Sequence, residues 1–318
     1  MTTPNELREK LRGPVVAMTT HFKDDLSLDL DAMRRLTEYY VRCGVPTVIA
    51  DGSTGEFFSL TQEERRQVIK TVVDTAAGQM TVVAGTAHSG TDITLELTRY
   101  AQDLGADGVM ITPPYYGYNN GGMDCLKAHY DKVTANSDIG IVIYFSGVVL
   151  PLVSEILAKP ALMVHLVDSC NGHASGFKDA SGNFPFHRDV NLLLKGKVSV
   201  MGSAGMNYFL WGHMFGSPCS LTGLGNIWPQ VEIDFWHHLE AGRRDEALKI
   251  VLKKDLPYLE ACMSTRRYWA CVKALQAMVG LPGGPMRRPL LSVTDEQREM
   301  LRNVCTEIGL MDLPVDLG

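Results

Sequence analysis

The sequence has no Cys-x-x-Cys pair, and its seven cysteines are scattered at irregular spacing. That excludes a disulfide-stapled scaffold and a zinc ribbon, and it is the usage expected of reduced thiols in the cytoplasm. No block of Lys or Arg occurs, and a net charge of −6 offers no basic footprint for nucleic acid. The pairs Arg266-Arg267 and Arg287-Arg288 are isolated and read as solvated or ion-paired surface. Every apolar run is cut short by Gly, Pro or charge, so no membrane span is expected. The polar stretch Met1 to Gly13 lacks the apolar centre of a secretory signal. No Gly-x-Gly-x-x-Gly follows a strand-like run, and no phosphate-cradling Gly-x-x-x-x-Gly-Lys-Ser/Thr is found. The histidines are dispersed, and His237 and His238 are helical neighbours that point to different faces. Neither a metal nor an organic cofactor is expected.

What is there is a repeated alternation of short β-rich runs and helical patterns. The runs are Val15 to Met18, Thr47 to Ala50, Thr81 to Ala84, Gly108 to Ile111, Ile139 to Tyr144, Ser175 to Lys178, Val198 to Met201 and Cys219 to Leu221. They are nearly continuously apolar, as suits parallel strands covered on both faces. Between them, Met33, Leu36, Tyr40 and Val41 mark one helix, and Leu95, Ala101 and Leu104 another, closed by Gly105. Thr61 and Glu64 form a capping box ahead of Val68, Ile69 and Val72. Eight βα units predict an α/β fold, a (β/α)8 barrel rather than an open sheet. The sixth unit is the least regular, because Val164 to Gly172 also reads as strand.

Strand signals stop near Val231. The stretches Val231 to Ala241, Asp245 to Met263, Tyr268 to Val279 and Thr294 to Ile308 read as helices, broken by Gly280 to Pro285. The expected organisation is a barrel over residues 1–230, then its last helix and a C-terminal helical extension over 231–318.

In such barrels the reactive side chains lie at the C-terminal ends of the strands. Gly52-Ser53-Thr54-Gly55-Glu56 follows the second strand. Its glycines and hydroxyls suit a carboxylate or phosphate, although turns use these residues in any case. Glu56 reads as a carboxylate bracing that turn. Thr112-Pro113-Pro114-Tyr115-Tyr116 follows the fourth strand, and Tyr116 is a phenol for proton transfer or for packing. Tyr144 closes the fifth strand as an acid/base group or a core tyrosine. Lys178, within Gly176 to Gly182, stands at the sixth strand end among apolar neighbours that would desolvate it. Desolvation raises the neutral, nucleophilic fraction of an amine; the bland alternative is an exposed lysine opening a turn. The segment Ser220 to Asn226, with Leu221, is a further candidate for substrate contact, the bland alternative being an ordinary Gly-rich turn.

These segments, in this order, resemble the dihydrodipicolinate synthase / N-acetylneuraminate lyase family from Gly13 to about Leu301. The resemblance implies that Lys178 forms a Schiff base with a 2-oxo acid and that Tyr144 moves protons at the imine. It implies that Ser53 and Thr54, with Gly52, hold the substrate carboxylate. Tyr116 matches a tyrosine that some members contribute across a subunit interface. It further implies a homotetramer or dimer and no cofactor.

Two features depart from the family's synthases. Phe145 stands where Asn usually follows the tyrosine, and no arginine lies between Tyr144 and Lys178 to grip an aldehyde's carboxylate; Val148 and Val149 are apolar there. Gly55 to Leu60 and Val279 to Leu290 look instead like sugar-acid dehydratase members, the tail reporting ancestry more than chemistry. The expected function is a Schiff-base aldolase or dehydratase for pyruvate or a 2-keto-3-deoxy sugar acid. The alternatives are condensation of pyruvate with an aldehyde, a non-catalytic small-molecule-binding barrel suggested by Phe145 and the unusual loop through Leu150, and a metal-dependent barrel enzyme.

Overall fold

The computed structural model describes residues 2–116, 121–146, 156, 157 and 159–313. Eight strands, β1 (Gly13–Ala17), β2 (Thr47–Ala50), β3 (Thr81–Gly85), β4 (Gly108–Ile111), β5 (Gly140–Ser146), β6 (Ala174–Ala180), β7 (Ser199–Gly202) and β8 (Cys219–Leu221), close a barrel in sequence order. Their ladders are parallel. All eight strands overlap the runs that mark them in sequence, with some ends displaced by about one or two residues. The chain divides into two compact units. One comprises Met1–Gly13, Thr81–Ala204 and Tyr208–Leu221; the other comprises Pro14–Met80, Gly205–Asn207 and Thr222–Gly318.

The first unit contains a helix that the sequence analysis missed, α1 (Pro4–Lys10). Thr3 caps it in a reciprocal capping box with Glu6, and Pro4 occupies the first turn. Leu7 and Leu11 are fully buried. Ser175 and Ser199 each donate a hydroxyl hydrogen bond to the helix backbone, at the carbonyls of Pro4 and Arg8. The helix thus covers the N-terminal ends of β6 and β7. It is followed in this unit by α4 (Thr91–Asp103), α5 (Gly122–Thr134), α6 (Leu162–Asp168), α7 (Phe184–Leu193) and α8 (Met206–His213), the last of which starts in the other unit. The alternative reading of Val164 to Gly172 as strand is corrected by α6. Met163, Leu166 and Val167 recur at helical spacing and all are buried on one face.

In the second unit, α2 (Leu30–Arg42) buries Met33, Leu36 and Tyr40, while Val41 is half-buried at its edge. The helix α3 (Gln62–Ala76) begins with the Thr61–Glu64 capping box. The C-terminal helices are α9 (Pro229–Glu240), α10 (Arg244–Ile250), α11 (Leu256–Ser264), α12 (Tyr268–Met278) and α13 (Asp295–Glu307). The single helix expected over Asp245 to Met263 is interrupted by a π-helical turn, Val251–Asp255. Pro257 explains it: without an N–H it cannot bond to the carbonyl four residues back, and its ring crowds that carbonyl. No helix among the described residues is long and apolar enough to cross a membrane.

Truncating Leu7 leaves a hole under β4 and β5, whose Gly108 and Gly140 leave room only for its methyl groups. Leu7→Ala is expected to cost about 2–5 kcal/mol. A shift in the denaturation midpoint of under a fifth of that would show that α1 is peripheral.

Candidate active site

Strand β6 alternates in and out. Phe177 stacks on Phe145 of β5, which in turn packs on Phe186 of α7, so Phe177 and Phe145 face the helices. Asp179 faces the same way. Its Oδ2 takes hydrogen bonds from His187 Nδ1 (2.9 Å) and the Tyr208 hydroxyl (2.7 Å), and Oδ1 takes the Ser181 N–H (2.9 Å). Burial, then the Asp179 charge, pushes the Tyr208 phenol far up, so it stays a donor. Lys178, between Phe177 and Asp179, must point to the opposite side.

On that side it meets Tyr144. The two residues are paired across the β5–β6 ladder. The Lys178 ammonium nitrogen sits 3.9 Å from the centroid of the Tyr144 ring. Lys178 is 4% exposed. Burial holds its amine below the ordinary lysine value, while the Tyr144 phenol beside it pulls the other way. From sequence, both residues are expected at strand ends, and Lys178 among apolar sequence neighbours that desolvate it. The structure corrects both points. Each strand runs two residues further, to Ser146 and Ala180. The sequence neighbour Phe177 points away, and it is the ring of Tyr144, across the ladder, that lies against the amine. Phe145, the departure from the family's asparagine, also lies on the helix side and leaves the face carrying Lys178 and Tyr144 unaltered.

Tyr116 is 84% exposed, whereas Tyr115 packs edge-on against His88. The Thr112 hydroxyl at the end of β4 is buried with no hydrogen-bond partner among the described residues. Leu221 ends β8 and is buried. Val148 and Val149 lie outside the described residues.

In the second unit, the turn Gly52 to Glu56 is clamped at both ends. Asp51 and Glu56 each adopt left-handed backbone angles, φ 59° and 58°, which cost a non-glycine residue energy. Each is held by a buried ion pair. Arg65 Nε donates to Asp51 (2.6 Å), and Lys273 Nζ donates to Glu56 (2.5 Å). Burial still pushes the Asp51 carboxyl up to about 6 against the pull of Arg65. Lys273 also donates to the Pro285 carbonyl, and the Arg287 backbone N–H donates to Glu56 Oε2. The Glu56 N–H closes the turn onto the Ser53 carbonyl. Ser53 and Thr54 are half-buried, and their hydroxyls have no protein partner among the described residues.

The bracing role expected of Glu56 therefore has a partner that the sequence could not name, on α12. The segment Pro282 to Arg287 is more than a mark of ancestry: it touches the turn itself. Arg287 is also ion-paired through its side chain, to Glu64 of α3. A further network converges on the segments after β1 and β8. Thr19 donates to the Gln276 side chain (2.9 Å), and Gln276 and Tyr40 both donate to the Asn226 carbonyl.

Residues 10–308 match the model of the Dihydrodipicolinate synthetase family. A 4-hydroxy-tetrahydrodipicolinate synthase of Methanothrix thermoacetophila is 31% identical over 96% of this chain and 99% of that protein. A Rhodococcus jostii protein named "Probable 5-dehydro-4-deoxyglucarate dehydratase" is 29% identical over 91% and 92%. The crystal structure of dihydrodipicolinate synthase from Aquifex aeolicus superposes with a TM-score of 0.84 at 26% identity, covering 94% of this chain and 98% of that one.

Removing one partner of a buried pair leaves an uncompensated charge, at a cost of about 3–5 kcal/mol. Lys273→Met should be destabilising by that amount, and adding Glu56→Gln should recover much of it. Urea denaturation of the two variants would refute the clamp if the double change were the less stable.

Proposed function

Because this chain belongs to the dihydrodipicolinate synthetase family, we propose that it is a lyase whose Lys178 forms an imine with a 2-oxo acid. The observation that carries the reading is a buried amine with no carboxylate partner among the described residues, set over the ring of Tyr144. A neutral Lys178 adds to the ketone carbon, and loss of water gives an iminium. That electron sink eases loss of a proton from the next carbon, and the resulting enamine can expel a hydroxyl or be reprotonated. Tyr144, against the amine, is the group placed to carry those protons. A proton carrier of this kind typically contributes ~10²–10⁴-fold. Ser53 and Thr54, with Gly52, take the substrate carboxylate. Their uncommitted hydroxyls and the clamped turn support that role.

Among the family's substrates, a 2-keto-3-deoxy sugar acid fits better than condensation of pyruvate with a carboxylated aldehyde. The support is the absence of any arginine from Phe145 to Phe177. The exposure of Tyr116 suits a residue covered by a second copy of the chain, so the working form is a dimer or tetramer. The seven free thiols suit a reducing cytoplasm.

Borohydride reduction in the presence of pyruvate, or of 5-dehydro-4-deoxyglucarate, should leave an adduct on Lys178 readable by peptide mass spectrometry. No adduct on the folded protein with either acid would overturn the imine. Lys178→Ala should abolish both adduct and turnover with the fold intact. Tyr144→Phe should still form the adduct slowly, while turnover falls by about 10²-fold or more; an unchanged rate would give the proton transfer to another group.

A further inference from the structure

The second unit buries two carboxylates that the imine chemistry does not use, Glu232 in the first turn of α9 and Asp255 at the end of the π-helical turn. Both are 1% exposed and neither has a cationic partner among the described residues. Each instead holds backbone. The Gly225 N–H donates to Glu232 Oε1 (2.6 Å), in the segment after β8. The Met206 N–H donates to Asp255 Oδ2 (2.7 Å), in the segment after β7.

The approach at β8 is so close that side chains are excluded. A Cβ on Gly225 would lie 2.7 Å from the Glu232 carboxyl carbon, and one on Gly223 would lie 1.9 Å from the Tyr268 hydroxyl. Glu232 Oε2 is buried and has no hydrogen-bond partner among the described residues. Such a group is costly to keep unless the position is needed.

We propose that Glu232 and Asp255 are positioning residues that fix the segments after β7 and β8 and thereby set the enzyme's affinity for its 2-oxo acid. The inference rests on the imine reading above. Its physical signature is a pH dependence. Burial, with Asp255 adding to it, raises the Glu232 carboxyl to about 8, and burial raises Asp255 to about 6. The other titratable groups facing Glu232 are Tyr40 of α2 and Tyr268 of α12, with Tyr258 of α11 beside Tyr268. Burial pushes all three phenols far up, so they stay neutral. At neutral pH, Glu232 therefore keeps its proton while Asp255 is ionised. As the pH rises through about 8, Glu232 ionises, the two carboxylates repel, and the two segments they hold are driven apart. The folded-state value lies above that of the unfolded chain, so Glu232's contribution to stability is full below about 4.5 and is lost as pH rises through about 8.

The test is the half-saturation concentration of pyruvate for the Lys178 adduct, trapped with cyanoborohydride on the full-length protein between pH 6.5 and 9.5. Relative to Glu232→Gln, which stays neutral, the wild type should weaken about tenfold between pH 7 and pH 9, as a single titration near 8 requires. At pH 7 the two should agree. Asp255→Asn removes the neighbouring charge, so the wild-type break should move to lower pH. A merely structural role would change the melting temperature of Glu232→Gln but leave the two pH courses superimposed, and that result would overturn the proposal. An adduct absent even in the wild type would overturn the imine reading and this inference with it.

Discussion

A lysine taken out of water is left with an uncompensated charge unless a countercharge or the loss of its proton offsets it, and this chain buries two lysines in different company. Lys273 is buried and carries the Glu56 carboxylate at 2.5 Å. Lys178 is buried over an aromatic ring. Burial lowers both amines, but among the described residues a carboxylate stands against Lys273 and none against Lys178. The difference suits Lys273 to a structural role and Lys178 to the nucleophilic role proposed for it. What keeps Lys178 without a countercharge is strand geometry. The carboxylate next to it in sequence, Asp179, is turned to the other face by the two-residue period of β6, and His187 and Tyr208 occupy it there.

The same period explains why a substitution that looks alarming in sequence does little at the site. Phe145 follows Tyr144 directly, yet it packs on Phe177 and Phe186 on the helix side. A reading of a non-catalytic barrel loses the support it took from Phe145, because adjacency along a strand is separation across it; its other support, the loop through Leu150, lies outside the described residues. The missing arginine is a different matter. No arginine stands anywhere from Phe145 to Phe177, and no change of face can supply one.

The barrel was legible because its signals are local. Apolar runs of three to six residues and the Thr61 capping box are written in contiguous residues, and they fold nearly as written. Lys178 and Tyr144 were legible as a pair through their resemblance to a known family; the ladder that joins them was not. The α1 helix was overlooked because its polar composition masks a Thr3–Glu6 capping box with only Leu7 and Leu11 to bury. The clamps were out of reach for another reason. Glu56 and Lys273 are 217 residues apart, and nothing in either neighbourhood names the other. Buried polar groups on helices look in sequence like ordinary surface charge.

The distribution of those clamps gives the C-terminal helices a purpose. Lys273 holds Glu56 after β2, Gln276 receives Thr19 after β1 and reaches Asn226 after β8, Glu232 holds Gly225, and Asp255 holds Met206 after β7. Within the second unit, each of these strand-following segments is tied by a buried polar side chain from a helix beyond residue 228. A buried hydrogen bond adds only about 0.5–1.5 kcal/mol net, while leaving its partner unsatisfied costs about 1–3 kcal/mol. That asymmetry makes the arrangement a geometric device more than a stabilising one. A tail chosen for packing alone would present apolar residues at these positions. One that presents Lys, Gln, Glu and Asp fixes where backbone atoms stand, which is what a site built on loops needs if its geometry is to be held to a fraction of an ångström.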